Sequence, residues 1–245
     1  MCGIIGYIGN KDPVPILLKG LKRLEYRGYD SSGIALMDED NLTHIKKSGK
    51  VSDLNLIVDD SSIKGDCGIA HTRWATHGIP NDINAHPHLD QTGKIALVHN
   101  GIFENYETIK QLLVNRNFKF TSDTDTEVIV QLISELYYNS NEKLTFEDAV
   151  RAALQEVVGA YGIVTICSDE PNKLIAARMG SPLVLGVGNG EYFLASDASP
   201  IIDHTRNVIY LDDGEFVIID KDGYSISTIK SKKIVSKSLT GIDLT

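Results

Sequence analysis

The chain has 245 residues, of which 42% are hydrophobic and 23% are charged, as in an ordinary folded globular protein. This balance excludes disorder, collagen and coiled coil as descriptions of the whole chain. The net charge of −9 does not match the basic surface of a nucleic-acid binder or of a binder of anionic membranes. The sequence also lacks an apolar run of about 18 residues, which a transmembrane helix requires. We therefore expect neither nucleic acid nor a membrane among its partners.

The three cysteines, Cys2, Cys67 and Cys167, are odd in number and widely spaced along the chain. This pattern fits neither a disulfide framework nor a zinc ribbon. We therefore expect a protein of the reducing cytoplasm.

The N-terminal part of the chain predicts a strand, a helix and a hairpin, in that order. Residues 2–8 form a short apolar strand pattern. Asp12 followed by Pro13 is an N-cap with proline at the first helical position, and leucines at helical spacing come next. Gly28 lies beyond the predicted end of this helix. Residues 34–37 and 44–46 predict a hairpin around a turn at 38–41.

The middle of the chain predicts two short strands and then a group of helices. The strands are predicted at 68–72 and 95–99, and the Gly/Pro/Asn/His-rich stretch 78–89 between them is expected to be mostly loop. The helices are predicted at 106–115, 126–138 and 145–158, with Thr145 as an N-cap.

The last third of the chain predicts one strand after another. These strands cover residues 162–167, 174–178, 183–187, 192–195, 208–211, 215–219 and 224–229. Because the helices arrive together rather than alternating with strands, we expect an α+β fold. Its two antiparallel sheets would be layered with helices.

Cys2 is the first candidate for catalysis. Removal of the initiator Met before a small residue would leave Cys2 with a thiol and an α-amine on the same residue. An α-amine has a pKa of about 8, so a useful fraction is neutral near neutral pH and takes a proton from sulfur. The alternative is that Cys2 is simply a small residue at the edge of a strand.

Residues 71–78 form the second candidate group, because they leave a predicted strand and enter the loop. Arg73 is suited to hold a carboxylate through two parallel hydrogen bonds, and Thr76 and His77 would add donors. Taken singly, the alternatives are a surface arginine, a core Trp74 and a structural histidine.

Two further candidate groups follow along the chain, the first with hydrogen-bond donors and the second with carboxylates. Asn100 and Gly101 end a predicted buried strand, and an Asn amide beside a Gly N–H is a good pair of donors for a developing oxyanion. The alternative is an ordinary Asn-Gly turn. Residues 122–127, which include Asp123, Asp125 and Glu127, open a predicted helix, where one of these carboxylates would cap the helix and another could meet a substrate ammonium. The spacing alone leaves that choice open.

A metal site is a separate functional hypothesis, which would be built on His71, His77, His86 and His88. Two histidines separated by proline, without a nearby cysteine or carboxylate ligand, are a weak signal for a metal. We therefore expect no metal.

Six segments occur in an order that resembles one family. They are MCGIIG at 1–6, LEYRGYDS at 24–31, HTRWATHG at 71–78, NAHPH at 84–88, HNG at 99–101 and TDTE at 124–127. Together they resemble the glutaminase domain of glutamine–fructose-6-phosphate aminotransferases, which are amidotransferases with an N-terminal nucleophile. The resemblance covers nearly the whole chain, to about residue 229.

The resemblance implies a four-layer αββα sandwich and a catalytic centre. In it Cys2 attacks the side-chain amide of glutamine, with its own amine as general base. The Asn100 side chain and the Gly101 N–H form the oxyanion hole, and Arg27 supports the surroundings of the nucleophile.

The resemblance also implies how glutamine is held and that no cofactor is needed. Arg73 and Thr76, with His77 nearby, would bind the α-carboxylate, and Asp125 rather than Asp123 would meet the α-ammonium. Trp74 would shield the route by which ammonia leaves.

In the family, ammonia passes to an isomerase half that converts fructose 6-phosphate to glucosamine 6-phosphate. We expect the amidotransferase domain at 2–229. Residues 230–245 would be a poorly packed tail or the start of a linker to that isomerase half, which is not part of these residues. The alternative is a stand-alone glutaminase subunit, or a glutamine-sensing module serving another acceptor.

Overall fold

A computed structural model of the chain describes residues 2–61, 63–74 and 78–242. The helices in this part of the chain are α1 (Pro13–Leu24), α2 (Val51–Ser61), α3 (Tyr106–Asn115), α4 (Asp125–Tyr138) and α5 (Phe146–Glu156), with a 3-10 turn at Glu25–Arg27. The strands are β1 (Gly3–Gly9), β2 (Ser31–Asp38), β3 (Asn41–Ser48), β4 (Cys67–Arg73), β5 (His88–Leu89), β6 (Ile95–Phe103), β7 (Gly159–Cys167), β8 (Leu174–Met179), β9 (Val184–Val187), β10 (Glu191–Ala195), β11 (Asn207–Tyr210), β12 (Glu215–Ile219), β13 (Tyr224–Thr228) and β14 (Thr240–Gly241).

The strands form two sheets. The larger sheet has the order β14-β11-β9-β10-β1-β4-β2-β3, and the smaller has the order β13-β12-β8-β7-β6-β5. Neighbouring strands within each sheet pair antiparallel. β1 and β4 lie side by side in the larger sheet, with Gly3 opposite Thr72, so the start of β1 meets the end of β4.

The side chains of β1 show how the layers form. Ile4 and Ile8 face the smaller sheet and join the core between the sheets, whereas Ile5 and Tyr7 face α1 and join the core beneath α1 and α2. This alternation is the period-two pattern of a strand that is buried on both faces. Helices α3, α4 and α5 cover the outer face of the smaller sheet with a third core. The result is an αββα sandwich, which confirms the predicted fold class.

The predicted caps of α1 and α5 are confirmed by their hydrogen bonds. The side chain of Asp12 accepts a hydrogen bond from the N–H of Val14 at 3.0 Å, and Pro13 is the first residue of α1. Thr145 caps α5 by accepting from the N–H of Asp148.

Helix α2 was not predicted from the sequence. Its buried face consists of Val51, Leu54 and Val58, but Leu56 and Ile57 are apolar and exposed on the other side. Apolar residues on both faces hide the helical period. Residues 88–89 also form a strand, within a stretch predicted to be mostly loop.

The tail after residue 229 packs more closely than the sequence suggested. Strand β14 pairs with β11, and Val235 packs against the core between the sheets. The Lys237 ammonium bonds the carboxylates of Asp212 at 2.8 Å and Glu215 at 2.7 Å. These contacts give the Lys-rich segment fixed partners, which its composition does not reveal. The domain boundary at 229 stays a prediction.

Candidate active site

The start of β1, the end of β4 and the end of β6 meet at one end of the sandwich. Cys2 directly precedes β1, Arg73 is the last residue of β4, and Asn100 and Gly101 lie near the end of β6. Because β1 and β4 are antiparallel neighbours while β6 belongs to the facing sheet, residues far apart in the chain converge here. Four of the predicted site residues therefore come from three strands at this end.

The thiol of Cys2 contacts the main chain of Trp74. The N–H of Trp74 donates to the Sγ of Cys2 at 3.2 Å, and the thiol faces the Trp74 carbonyl oxygen at 3.6 Å. Burial raises the pKa of the Cys2 thiol above its ordinary value. The Trp74 hydrogen bond and the positive charges of Arg73 and Arg27 act in the opposite direction, but more weakly. Since the thiol stays protonated near neutral pH, attack by its sulfur requires a base.

The carbonyl oxygen of Cys2 accepts two hydrogen bonds. The Nε of Arg27 donates to it at 3.1 Å and the Nδ2 of Asn100 at 3.0 Å. Arg27 is held in turn by Asp197, whose Oδ2 lies 3.6 Å from the Arg27 Nη1 and accepts from the Tyr26 hydroxyl at 3.0 Å. Two predicted site residues thus fix the peptide group next to the candidate nucleophile.

Glycines bring the backbone segments of the site close together. A Cβ on Gly28 would lie 2.7 Å from the carbonyl carbon of Arg73 and 2.8 Å from the N of Trp74. Gly101 has a φ of +141°, and a Cβ there would lie 1.9 Å from the carbonyl oxygen of Ala160. Glycine is required at both positions because a side chain would push these segments apart.

Arg73 and Asp125 are both buried, and their opposite charges interact. Burial lowers the pKa of Arg73, while the charges of Cys2, Asp30 and Asp125 raise it. Asp125 is the first residue of α4, and its Oδ2 accepts from the N–H of Phe103 at 2.8 Å. This bond ties the start of α4 to the end of β6. The positive charge of Arg73, which acts on the Cys2 thiol, therefore has the buried negative charge of Asp125 near it.

The two carboxylates that the sequence left undecided differ in the structure. Thr124, not an aspartate, caps α4 by accepting from the N–H of Glu127 at 3.4 Å. Asp125 is buried, whereas Asp123 is exposed and accepts from the Nδ2 of Asn84 at 3.3 Å. The buried carboxylate, Asp125, is the one whose charge acts on Arg73.

The indole of Trp74 is 45% exposed and lies edge to face with Tyr29, at 5.5 Å between ring centroids. The indole is therefore at the surface, while the main chain of Trp74 contacts Cys2. Thr76 and His77, the other two predicted substrate-binding residues, lie outside the described residues.

Three histidines of the metal hypothesis are packed together in the interior. The rings of His71 and His86 stack at 4.3 Å, and those of His86 and His88 meet edge to face at 4.7 Å. The Nε2 atoms of His86 and His88 each bond a threonine hydroxyl beside Asp125, at 2.9 and 3.0 Å. Burial lowers the pKa of His71 to about 3 and those of the other two well below the ordinary value. Over the described ranges, no group of three His, Cys, Asp or Glu side chains could hold a metal ion.

The sequence analysis missed two contributors to the site. Asp197 reaches Arg27 from the turn after β10, and nothing in its neighbourhood in the sequence marks it. Gly28 lies beyond the end of a predicted helix and inside the segment at 24–31, but the sequence assigned it no role. Its close approach to Arg73 arises from sheet packing and has no local signal.

Comparison with protein families identifies a glutamine amidotransferase domain. The glutamine amidotransferase domain model covers residues 71–203, which is more than half of the chain. No helix in the described ranges is long and apolar enough to cross a membrane.

Curated relatives match almost the whole chain. The glutamine–fructose-6-phosphate aminotransferase (isomerizing) of Chlorobaculum tepidum is 51% identical over 99% of this chain and 40% of its own length. The enzyme of the same name from Bacteroides thetaiotaomicron is 53% identical over 90% of this chain and 36% of its own length. The chain thus spans about two fifths of the length of these relatives. They confirm the resemblance derived from the motifs.

Solved structures confirm the fold. Glutamine phosphoribosylpyrophosphate amidotransferase from B. subtilis superposes with a TM-score of 0.81 at 28% identity, over 94% of this chain and 50% of that one. A glutamine aminotransferase class-II domain protein from Silicibacter pomeroyi gives a TM-score of 0.62 at 15% identity, over 93% and 99%. At that identity the likeness concerns the fold alone.

Proposed function

The chain belongs to the glutamine amidotransferase family, and on this premise we propose that it hydrolyses the side-chain amide of L-glutamine to glutamate and ammonia. The observation that carries this proposal is the pair of hydrogen bonds to the Cys2 carbonyl. Arg27 and Asn100 lie 25 and 98 residues away in the sequence, yet both donate to the residue that would be the nucleophile. A cysteine that was merely a small residue at a strand edge would not need such support.

The nucleophile would be Cys2 with a free α-amine, after removal of Met1. The amine takes the thiol proton as the sulfur attacks the amide carbon, so an S–C bond forms and the carbonyl oxygen becomes an oxyanion. The amine then passes its proton to the departing nitrogen, which leaves as ammonia. Water hydrolyses the resulting thioester to glutamate and restores the thiol.

The oxyanion would be stabilised by Asn100 and Gly101. The Asn100 amide nitrogen carries two N–H groups, and one of them donates to the Cys2 carbonyl at 3.0 Å. The second N–H is then left for the oxyanion, together with the Gly101 N–H. Donors fixed in advance in this way cost no reorganisation when charge develops.

The two ends of the glutamine backbone would be bound by opposite charges. Arg73 would hold the α-carboxylate through its guanidinium fork, with Thr76 and His77 adding donors. Asp125 would hold the α-ammonium, because it is a buried carboxylate whose charge acts on Arg73, the residue that would hold the other charged group of the glutamine backbone. Trp74, whose main chain contacts the thiol and whose indole is partly exposed, would shield the ammonia from water.

The ammonia would serve the synthesis of glucosamine 6-phosphate from fructose 6-phosphate. Relatives about half identical to this chain carry the name of that enzyme, whereas the phosphoribosylpyrophosphate amidotransferase is 28% identical. The acceptor reaction would take place in a sugar-isomerase half that follows residues 230–245. The three cysteines are all free thiols, which fits the reducing cytoplasm as the place of action.

The glutaminase step is tested by measuring glutamate release from glutamine. Cys2→Ala should abolish it, whereas Cys167→Ala, which alters a thiol buried in the core, should leave it intact. An alkylating glutamine analogue should add one mass equivalent to the native protein and none to Cys2→Ala. Equal turnover by Cys2→Ala and the native protein would refute the proposal. Tight glutamine binding without hydrolysis, in protein shown to begin at Cys2, would favour the sensing module instead.

The acceptor is tested separately. The chain is combined with a sugar-isomerase domain, glutamine and fructose 6-phosphate, and glucosamine 6-phosphate is measured. Phosphoribosylpyrophosphate with its own acceptor domain provides the comparison. Ammonia transfer to the second acceptor but not to the first would contradict the proposed pathway and leave the glutaminase step unaffected.

A further inference from the structure

His71 contacts the side chain that would form the oxyanion hole. It lies on β4, two residues before Arg73, and its side chain is fully buried. Its Nε2 lies 3.0 Å from the Oδ1 of Asn100 and 3.1 Å from the carbonyl oxygen of His99. The proposed chemistry has so far assigned no role to this residue.

The hydrogen bonds determine which nitrogen of His71 carries the proton. Asn100 donates through Nδ2 to the Cys2 carbonyl, so its Oδ1 is the atom that faces His71. The carbonyl oxygen of His99 is also an acceptor. Both acceptors require a donor, and His71 is therefore the Nε2–H tautomer. Its Nδ1 is buried without a hydrogen-bond partner in the described part of the chain, which leaves it as the unprotonated nitrogen.

This arrangement selects one of two orientations of the Asn100 amide. If the amide rotated by half a turn, its oxygen would face the Cys2 carbonyl oxygen and its NH2 would face the Nε2–H of His71. Acceptor would then oppose acceptor and donor would oppose donor. The same Nε2–H also holds the main chain of His99, the residue that precedes both proposed oxyanion donors on β6.

His71 is itself held firmly. Its ring stacks on that of His86 at 4.3 Å with 26° between the planes. Burial keeps the ring neutral near neutral pH by lowering its pKa to about 3. A neutral ring in a fixed tautomer provides one donor in one direction.

We propose that His71 is a positioning residue of the oxyanion hole, which orients the Asn100 amide so that its NH2 faces the reacting carbonyl. This inference rests on the proposed glutaminase function. It predicts that removal of the Nε2–H donor weakens stabilisation of the oxyanion while binding of the glutamine backbone persists.

The test compares His71→Phe with His71→Gln. Phenylalanine keeps a ring against His86 but removes the donor, whereas a glutamine amide can replace the Nε2–H. For His71→Phe we expect kcat for glutamine hydrolysis to fall by about 10- to 100-fold, somewhat less than the loss of a whole oxyanion donor. We expect KM to change by less than about threefold and His71→Gln to recover most of the rate.

The matched control is Thr165→Val. Thr165 is buried and donates through its hydroxyl to the carbonyl oxygen of Ala96, so it too anchors β6, but away from the oxyanion hole. Its replacement removes a buried hydrogen bond to the same strand and should leave kcat unchanged. If kcat fell as far in Thr165→Val as in His71→Phe, the effect of His71 would be merely structural and the proposal would be overturned.

A double-mutant cycle tests whether His71 acts through Asn100. Asn100→Ala should lower kcat by about 100-fold or more, and adding His71→Phe to it should lower kcat no further. Additive losses would overturn the proposal. An aldehyde analogue of glutamine, whose carbonyl gains an S–C bond from Cys2 and becomes an oxyanion, should bind less tightly to His71→Phe. Binding of glutamine itself, measured in the inactive Cys2→Ala background, should stay the same, because its neutral amide develops no such charge.

A measurement on the unsubstituted protein keeps the proposal testable if His71→Phe does not fold. Nitrogen-15 NMR of labelled histidines should show His71 with the proton on Nε2. A proton on Nδ1 would overturn the proposal, because Nε2 could not then donate to Asn100. Failure of Cys2 to hydrolyse glutamine would refute the underlying function instead, and the cysteine variants distinguish that outcome.

Discussion

The main-chain N–H of Trp74 donates a hydrogen bond to the Sγ of Cys2 at 3.2 Å, across 72 residues of sequence. The contact exists because β1 and β4 are antiparallel neighbours, with Gly3 opposite Thr72. It places the thiol directly against the segment that carries Arg73. The geometry of the candidate nucleophile thus depends on the register of one strand pair.

Blocking the N-terminus should abolish glutaminase activity. Burial raises the pKa of the Cys2 thiol, so the sulfur needs a base, and the α-amine of Cys2 would provide it. We expect a protein with a cleavable leader fused before Cys2 to be at least about 100-fold slower than the same protein after cleavage. Glutamate release before and after cleavage measures this. Full activity with the leader in place would show that another group is the base.

Gly28→Ala should disturb the site through the backbone. The added Cβ would lie within 2.7–2.8 Å of the Arg73 and Trp74 main chain, so this segment must shift away from Cys2. We expect a loss of about 1–3 kcal/mol of unfolding free energy and a fall in kcat/KM. Denaturant titration and glutamate release measure the two effects.

Gly223→Ala is the matched control for that change. Gly223 also lies in a turn, but a Cβ there would have no atom within 4 Å. It should leave both stability and turnover near native values. If Gly28→Ala behaved in the same way, the close packing of Gly28 against the Arg73–Trp74 segment would have no role in turnover.

Asp125→Asn should weaken glutamine binding. The substitution keeps an oxygen to accept from the Phe103 N–H but removes the charge that would attract the α-ammonium. We expect KM for glutamine to rise by about 10- to 100-fold, the usual worth of a charge-assisted hydrogen bond. Steady-state kinetics measure it. Asp123→Asn is the control, because the Asp123 carboxylate is exposed. A larger rise of KM in Asp123→Asn than in Asp125→Asn would show that Asp123, and not Asp125, binds the α-ammonium.

The buried histidines should make the protein less stable in acid. Burial lowers the pKa of His71 from 6.5 to about 3, and those of His86 and His88 fall well below 6.5. The unfolded chain therefore binds protons that the folded chain refuses. The stability contributed by these neutral rings is complete above pH 6.5 and is lost as pH falls toward about 3.

His71 should cost about 2 kcal/mol of unfolding free energy as the pH falls from about 6.5 to 5, and His86 and His88 should act in the same direction. Urea titrations across this range measure the slope, and His71→Gln should reduce it by the contribution of one proton. An unchanged slope in that variant would mean that His71 does not titrate differently in the folded and unfolded states.

Much of the local structure followed from the sequence. The Asp12-Pro13 start of α1, the Thr145 cap of α5 and the runs of strands are confirmed, because they depend on neighbours along the chain. Helix α2 was missed because Leu56 and Ile57 place apolar side chains on its exposed face. The packing of the tail was missed because the partners of Lys237 lie in a distant loop and strand.

The sequence by itself determined which residues could form the active site of an amidotransferase. The motifs that contain Cys2, Arg73, Asn100 and Asp125 are contiguous segments, so they can be recognised without the fold. Only the tertiary structure decided how they face one another. Three contacts join residues from separate elements. The Trp74 N–H donates to the Cys2 thiol, the His71 ring bonds the Asn100 side chain and thereby fixes its own tautomer, and Asp197 supports Arg27. Such contacts depend on strand register and on the stacking of two sheets. Those are long-range properties, set by packing of the whole core and not by any local pattern of residues.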